Sequence, residues 1–256
     1  MTARRMVPAI VAIAVLFVAW EAYARLAGLP AIVLPPPSRV LAALWEFRVD
    51  ALRHAATTCV EAVLGLSVSL VFGIATAVAM DRVTVVRRAI EPLLVGSQTI
   101  PIVAIAPLLV IWFGFGIEPK ILVIVLITFF PITIGLLDGL AATPASGSDL
   151  LRSMGATDDQ AFVKLRWPGA LPSLFTGLRI AAAYAVVGAV FGEYVGAVSG
   201  LGIWMQVSQN AFRTDLVLGA VLVTAVISLA LYGAVGVAER LVIPWHRASR
   251  AAEEPR

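Results

Sequence analysis

Side chains able to do chemistry are few in this sequence and stand far apart. His54 and His246 are the only histidines; both read as solvated or interfacial, and no HExxH accompanies them, so zinc-dependent hydrolysis lacks a ligand set. The single cysteine, Cys59, excludes an intrachain disulfide and a thiolate metal site. Asp138 has no acidic mate for general acid–base work. No GxxxxGK[ST] occurs, so the chain cannot cradle nucleotide phosphates in the P-loop manner. Catalysis by this chain alone is thereby disfavoured.

The most informative polar stretch is AATPASGSDLLRSMGATDDQAFVKLRWPGALP, residues 141–172. Ser148 can cap a short helix over residues 149–154, ending near Gly155, which is free to adopt positive φ. Thr157 and Gln160 form a T-x-x-Q capping box for a second helix over 158–166, stopped by Trp167-Pro168. Leu150, Leu151, Met154, Phe162 and Leu165 give this loop apolar faces. The loop is too polar for lipid, so some protein must cover them.

The elements that carry this loop follow from composition. The chain has 256 residues, 60% hydrophobic and only 14% charged, with a mean hydropathy of +0.95. That excludes a water-soluble domain. A bilayer core of about 30 Å takes roughly 20 apolar residues per helix. Six such stretches are present, at about 6–24, 60–80, 92–114, 120–138, 174–198 and 216–238, so the fold class is an all-α membrane protein of one domain with six transmembrane helices and a loop at 141–172. The net charge of +3 is carried at segment ends and forms no stripe, which argues against nucleic acid. In a six-span layout with the N-terminus inside, thirteen of the nineteen basic residues fall on the inner side, so both termini are expected in the cytoplasm. Residues 1–24 also fit a secretory signal with a small-residue site at Ala22-Tyr23-Ala24, so retention and cleavage both stand open. A proline-containing connector runs from 25 to 58, within which Ser38 can cap a short surface helix through Trp45. Pro101, Pro107 and Pro131 should kink their helices. Arg179, near one end of its span, is expected to snorkel.

Polar and small residues inside the spans are the candidates for a path. Gly188, Gly192 and Gly196, with Gly200 where the helix could already have ended, lie every fourth residue; their default role is close helix packing, within the subunit or across a dimer. Glu193 is either a gate or substrate contact, or a carboxylate reaching headgroups. Gln98 and Thr99, with Ser97, stand just before Pro101, where they bind a freed carbonyl or face a pore. Thr128 and Tyr184 are further pore candidates.

The spacing acidic-x5-Gly, nine residues, then aliphatic-x-x-Pro, with Asp149, Gly155, Leu165 and Pro168 in register, resembles the EAA loop of permease subunits of binding-protein-dependent ABC importers. Leu150-Leu151 replaces the two alanines, Asp149 the glutamate and Trp167 a leucine. LPPPSRV at Leu34–Val40, SQTIPIVAIAPLLVIWFGFG at Ser97–Gly116 and GEYVGAVSGLG at Gly192–Gly202 extend the likeness to the nitrate, sulfonate, taurine and thiamine-precursor branch. The resemblance implies a type I importer permease in a bacterial cytoplasmic membrane. Its coupling helix, here Asp149, Leu150, Leu151, Met154, Gly155, Ala156, Phe162, Leu165 and Pro168, would sit in a groove of a separate ABC ATPase subunit that holds the ATP and Mg²⁺, with no cofactor in this chain. The resemblance further implies an extracytoplasmic solute-binding protein and a second permease copy, a homodimer before a hetero-pair. The cargo would be a pyrimidine thiamine precursor, a riboflavin-like compound, or a sulfonate- or nitrate-type anion. Two other readings stand beside it: an ion-coupled secondary transporter, and an intramembrane enzyme.

Overall fold

The computed structural model describes residues 3–245; His246 and the basic residues beyond it fall outside them. The helices are α1 (Ala3–Leu26), α2 (Pro37–Glu46), α3 (Arg48–Arg82), α4 (Thr84–Ser97), α5 (Ile102–Phe113), α6 (Glu118–Ala141), α7 (Ala145–Ser153), α8 (Asp158–Ala161), a π-helical turn (Phe162–Arg166), α9 (Trp167–Gly196), α10 (Leu201–Asn210) and α11 (Thr214–Val242). Among the described residues there is no strand. Among the described residues four helices are long and apolar enough to cross a membrane, α3, α6, the unbroken run Asp158–Gly196, and α11, and the bent pair α4 and α5 would make a fifth if it is one span. Helix α1 has 24 residues, which at 1.5 Å per residue is about 36 Å.

The third stretch differs from the single kinked span expected at 92–114. It is two helices, α4 and α5, meeting at 102°. Pro101 starts α5 with an extended backbone and donates no N–H to the turn before it. Hydroxyls finish the end of α4: Ser97 donates to the Leu94 carbonyl at 2.7 Å and Thr99 to that of Gly96 at 2.8 Å. Pro131, by contrast, lies inside α6 without ending it.

Other boundaries move for identifiable reasons. Helix α3 begins at Arg48, so the connector ends before 58: no proline or glycine interrupts residues 48–58, and solvated charges do not stop a helix. Helix α2 starts after Pro36 with no side-chain cap; Ser38 is not the cap, and its N–H donates to Glu21 of α1 at 3.0 Å. Arg179 does not snorkel. It pairs with Glu239 of α11 and lies 5.8 Å from the ring of Tyr232.

Helices α6 and α9 form the centre, packed backbone to backbone. A Cβ on Gly139 would lie 2.8 Å from the Ala170 carbonyl oxygen, and one on Gly135 would lie 2.9 Å from that of Ser173. Glycines on α3 repeat the device, Gly65 against Ile124 and Gly73 against Ile132. The ridge on α9 is used within the subunit: Gly188 meets Ile124 and Ile127, Gly192 meets Lys120, and Gly196 meets Val110 and Phe115. Ile124, Ile132, Leu136, Ala181, Ala185 and Ala189 between these helices are fully buried. The bundle thus has two ends, one carrying α7 and α8, the other carrying α2 and α10.

Candidate functional site

At the first end α7, Gly155 and α8 make a helical hairpin. Pro144 precedes α7, and Ser148 sits inside the helix, buried, so it caps nothing. Gly155 turns the chain at φ +87°, a region that disfavours side chains. The capping box forms: Gln160 N–H donates to the Thr157 hydroxyl at 3.3 Å, and Thr157 N–H donates to Gln160 Oε1 at 3.0 Å.

The second helix does not stop at Trp167-Pro168, as the sequence led us to expect. It runs through the π-helical turn into α9. Pro168 offers no N–H to the preceding turn, and the ladder widens to accommodate it, with Trp167 N–H donating to the Phe162 carbonyl. The hairpin and the longest transmembrane helix are therefore one continuous rod from residue 158.

Ion pairs fix the hairpin to the bundle. Arg166 donates to both carboxylate oxygens of Asp81, at 2.9 and 2.7 Å, and to the Leu140 carbonyl at 3.2 Å, tying α3, α6 and the base of α9 together. Arg152 donates to Asp149 at 3.0 Å and Asp158 at 2.8 Å, and Arg82 to Asp159 at 2.6 Å. The hydrogen bond to Asp158, first among its interactions, holds the Arg152 pKa above its ordinary value. These outer pairs are exposed and screened by solvent, so they set geometry more than stability. The Asp81–Arg166 pair is the anchor.

The expected coupling residues separate into two groups. Leu150 and Met154 are 62% and 75% exposed, and Val163, on the second arm of the hairpin, is 61% exposed. Phe162 turns inward, 6.2 Å from the ring of Trp167 with Arg82 4.3 Å above it. Leu165 also faces the chain itself, since a Cβ on Gly147 would meet it at 2.9 Å. Leu151, Ala156 and Pro168 are half-buried, and Asp149 is exposed in its pair with Arg152.

Between α6, α9 and the α4–α5 corner lies a cavity of about 720 Å³. Gln98 and Tyr184 line it, together with Asp138, Ser173 and Thr176. Thr99 and Thr128 do not. Thr99 bonds its own turn, and Thr128 is fully buried with its hydroxyl on the Ile124 carbonyl at 2.7 Å.

Glu193 is also outside the cavity and reaches no headgroup. It is 0% exposed at the far end, accepting from the Thr58 hydroxyl at 2.6 Å and from Gly202 N–H at 2.7 Å. Leu201 N–H donates to Thr58 Oγ1 at 2.9 Å, and Gly200 N–H to His54 Nδ1 at 3.0 Å. His54 is thus neither free nor simply solvated; it stacks on Trp204 at 5.8 Å. Three successive amides opening α10 are each held by a side chain, and the carboxylate is favourably placed at a helix N-terminus. Gly200, at φ +128°, lies directly over that carboxylate. Beside it Lys120 donates to Glu61 at 2.8 Å, both buried. Polarity and spacing alone do not single out Glu61, Lys120 and Thr58. Their signal was present: His54, Thr58 and Glu61 share one face of a helix once it starts at 48.

A bundle of apolar helices with a partly polar cavity on its side and exposed apolar side chains on its hairpin fits a membrane transport subunit. Residues 69–244 match the family described as binding-protein-dependent transport system inner membrane component. The chain belongs to that family, the ABC transporter permeases, and is a multi-pass inner-membrane protein. It is 38% identical over 233 residues to the formylaminopyrimidine transport permease protein ThiX of Halalkalibacterium halodurans, covering 91% of this chain and 93% of that one. It is 33% identical over 241 residues to the taurine transport system permease protein TauC of Escherichia coli, covering 91% and 88%. Its fold is similar to that in a crystal structure of an amino acid ABC transporter, with TM-score 0.62, 14% identity, and 78% and 98% of the two chains covered.

Proposed function

We propose that this chain forms half of the translocation path of an ATP-driven importer, paired with a second copy of itself. It spans the membrane six times with both termini in the cytoplasm, and takes a small organic solute from an extracytoplasmic binding protein docked at the α2–α10 end. Taking the bent α4–α5 pair as one span brings the four long helices to five, and helix α1, with Val7, Ile10, Val11, Ile13 and Leu16 all exposed, supports a sixth. The cavity lined by Gln98, Tyr184 and Asp138 is the path. ATP and Mg²⁺ belong to a separate ABC ATPase subunit; this chain itself carries no cofactor.

One observation carries the reading: the apolar tip of Leu150, Met154 and Val163 stands exposed on a hairpin that is continuous with α9 and pinned by Asp81–Arg166. An apolar face held rigidly away from its own core supports a protein partner. ATPase closure then pushes a rod, not a loop, and biases the bundle between two openings. Formylaminopyrimidine and taurine permeases among the relatives support a small nitrogen-containing organic cargo. The test is Gly155→Trp in the assembled complex. The variant should insert in the membrane but lose its ATPase on purification, together with substrate-stimulated hydrolysis; full retention of both contradicts the proposal.

A further inference from the structure

We infer that Glu193 is a proton-binding site: it stands as a neutral carboxylic acid whose O–H donates to Glu61 Oε2, and docking the start of α10 onto α3 and α9 takes up that proton. Neither the cavity nor the hairpin enters, so the inference stands apart from the proposed function.

The charges at the α2–α10 end do not balance without the proton. Glu193, Glu61 and Lys120 are 0%, 3% and 7% exposed, and Lys120 donates to Glu61 at 2.8 Å, so one buried ammonium serves two buried carboxyls. The titratable and charged groups around Glu193 are Glu61 and His54 of α3 and Lys120 of α6, whose Cα lies 3.1 Å from where a Cβ on the neighbouring Gly192 would stand. Helices α5 and α10 bring no charged side chain. Arg39, Arg213 and Asp215 pair among themselves, and Arg179 of α9 pairs with Glu239. His54 adds no charge, because an Nδ1 that accepts from Gly200 N–H belongs to a neutral imidazole. The start of α10 offers about half a unit of positive charge, and Thr58 and Gly202 are neutral donors. A carboxylate buried without a full counter-charge takes up a proton instead.

Hydrogen bonding leads to the same place. Glu61 Oε2 is buried with no donor on it, and its hydrogen-bonding neighbour is the Glu193 carboxyl. Two carboxylates can only accept, so one proton between them turns an orphaned acceptor into a satisfied one. A hard metal ion fits less well: it seeks about six oxygens, and both Glu193 oxygens are already taken by Thr58 and Gly202. Without the proton two like charges stay in contact, and the strain is relieved when Glu193 reaches water. Its bond to Gly202 N–H and, through Thr58, its tie to Leu201 N–H are then given up. The proton passes to water on opening and returns on closing.

Infrared spectroscopy of the full chain in lipid nanodiscs at about pH 7, well above the ordinary glutamate range, tests the proton directly. The parent should show a carboxylic-acid C=O band that shifts in D₂O and on ¹³C-labelling of glutamate, and Glu193→Gln should lack it. No such band, a band indifferent to glutamate labelling, or one that persists in Glu193→Gln overturns the inference. The labelled band is read on the parent alone and decides even where the variant does not fold. Hydrogen exchange tests the coupling. Glu193→Gln keeps a donor toward Glu61 and gives up one acceptor, so the Leu201 and Gly202 amides lose some protection at every pH. In the parent, opening lets Glu193 ionise above its ordinary value of about 4.3. The opening equilibrium at these two amides, divided by that of the variant, should therefore rise about tenfold per pH unit from about pH 5 to about pH 7; a ratio that does not change with pH overturns the coupling.

Discussion

Replacing Asp81 by Asn tests whether the hairpin is rigid because it is pinned. The guanidinium of Arg166 loses its counter-charge, and an amide presents one acceptor oxygen where the carboxylate presents two at 2.9 and 2.7 Å. The side chains are only 10% and 29% exposed, so water replaces the lost partner poorly. Breaking a fully buried pair costs about 3–5 kcal/mol. The partial exposure of Arg166 and its surviving bond to the Leu140 carbonyl reduce this to about 2–3 kcal/mol, or about 30- to 150-fold in a local opening equilibrium. Hydrogen exchange of the purified protein in lipid should therefore speed up by that factor across residues 145–166, while the Leu201 and Gly202 amides at the other end keep their rates. Exchange within about threefold of the parent across 145–166 refutes the anchor, because a contact of this burial cannot be removed so cheaply. The double replacement Asp81→Leu with Arg166→Met should recover much of the loss, since no uncompensated charge then remains.

Three further sets of substitutions probe the rest of the bundle. Thr58→Val leaves Glu193 short of a donor and Leu201 N–H short of an acceptor; a loss of about 2–3 kcal/mol and faster exchange at Leu201 are expected, with Thr58→Ser near normal. Glu61→Gln or Lys120→Met alone should cost about 3–5 kcal/mol in thermal or denaturant stability, and Glu61→Leu with Lys120→Met together much less; equal loss in single and double variants counts against a buried pair. A Cβ on Gly177 would land on the Pro131 carbonyl, whereas one on Gly233 meets nothing. Gly177→Ala should therefore lower the unfolding temperature and Gly233→Ala raise it slightly, by about 1 kcal/mol of helix propensity.

Much of this architecture was legible because lipid simplifies the reading of a sequence. Long uncharged runs at 62–80, 121–137 and 216–238 can only be helices at membrane depth, and all three fall inside α3, α6 and α11. The turn at Gly155 and the Thr157–Gln160 box are local devices fixed by a few neighbouring side chains, so spacing revealed them. What spacing could not reveal depends on tertiary context. Trp167-Pro168 looks like a stop until a π-helical turn is allowed, and whether the chain bends by 102° or merely kinks at Pro101 depends on what packs against it. Phe162 and Leu165 look like partner contacts from polarity alone; only the positions of Trp167, Arg82 and Gly147 turn them inward. Buried Glu61 and Lys120 were hidden because each, taken singly, reads as a charge at a helix end. Their meaning lies in the pairing, which joins positions far apart in sequence.

The central claim, that the tip of the α7–α8 hairpin is the seat of an ATPase, is tested most directly by cross-linking. Cys59 is the single native cysteine and is exposed, so a Cys59→Ser background removes it. Met154→Cys in that background, labelled with a maleimide-linked benzophenone, assembled with the ABC-type ATPase of its own transport system and irradiated so that the benzophenone inserts into a C–H bond of whatever it touches, should give a covalent permease–ATPase product that the added Gly155→Trp abolishes. No product from position 154, while a cysteine placed at Gln209 on the opposite end does cross-link to the ATPase, would contradict the account.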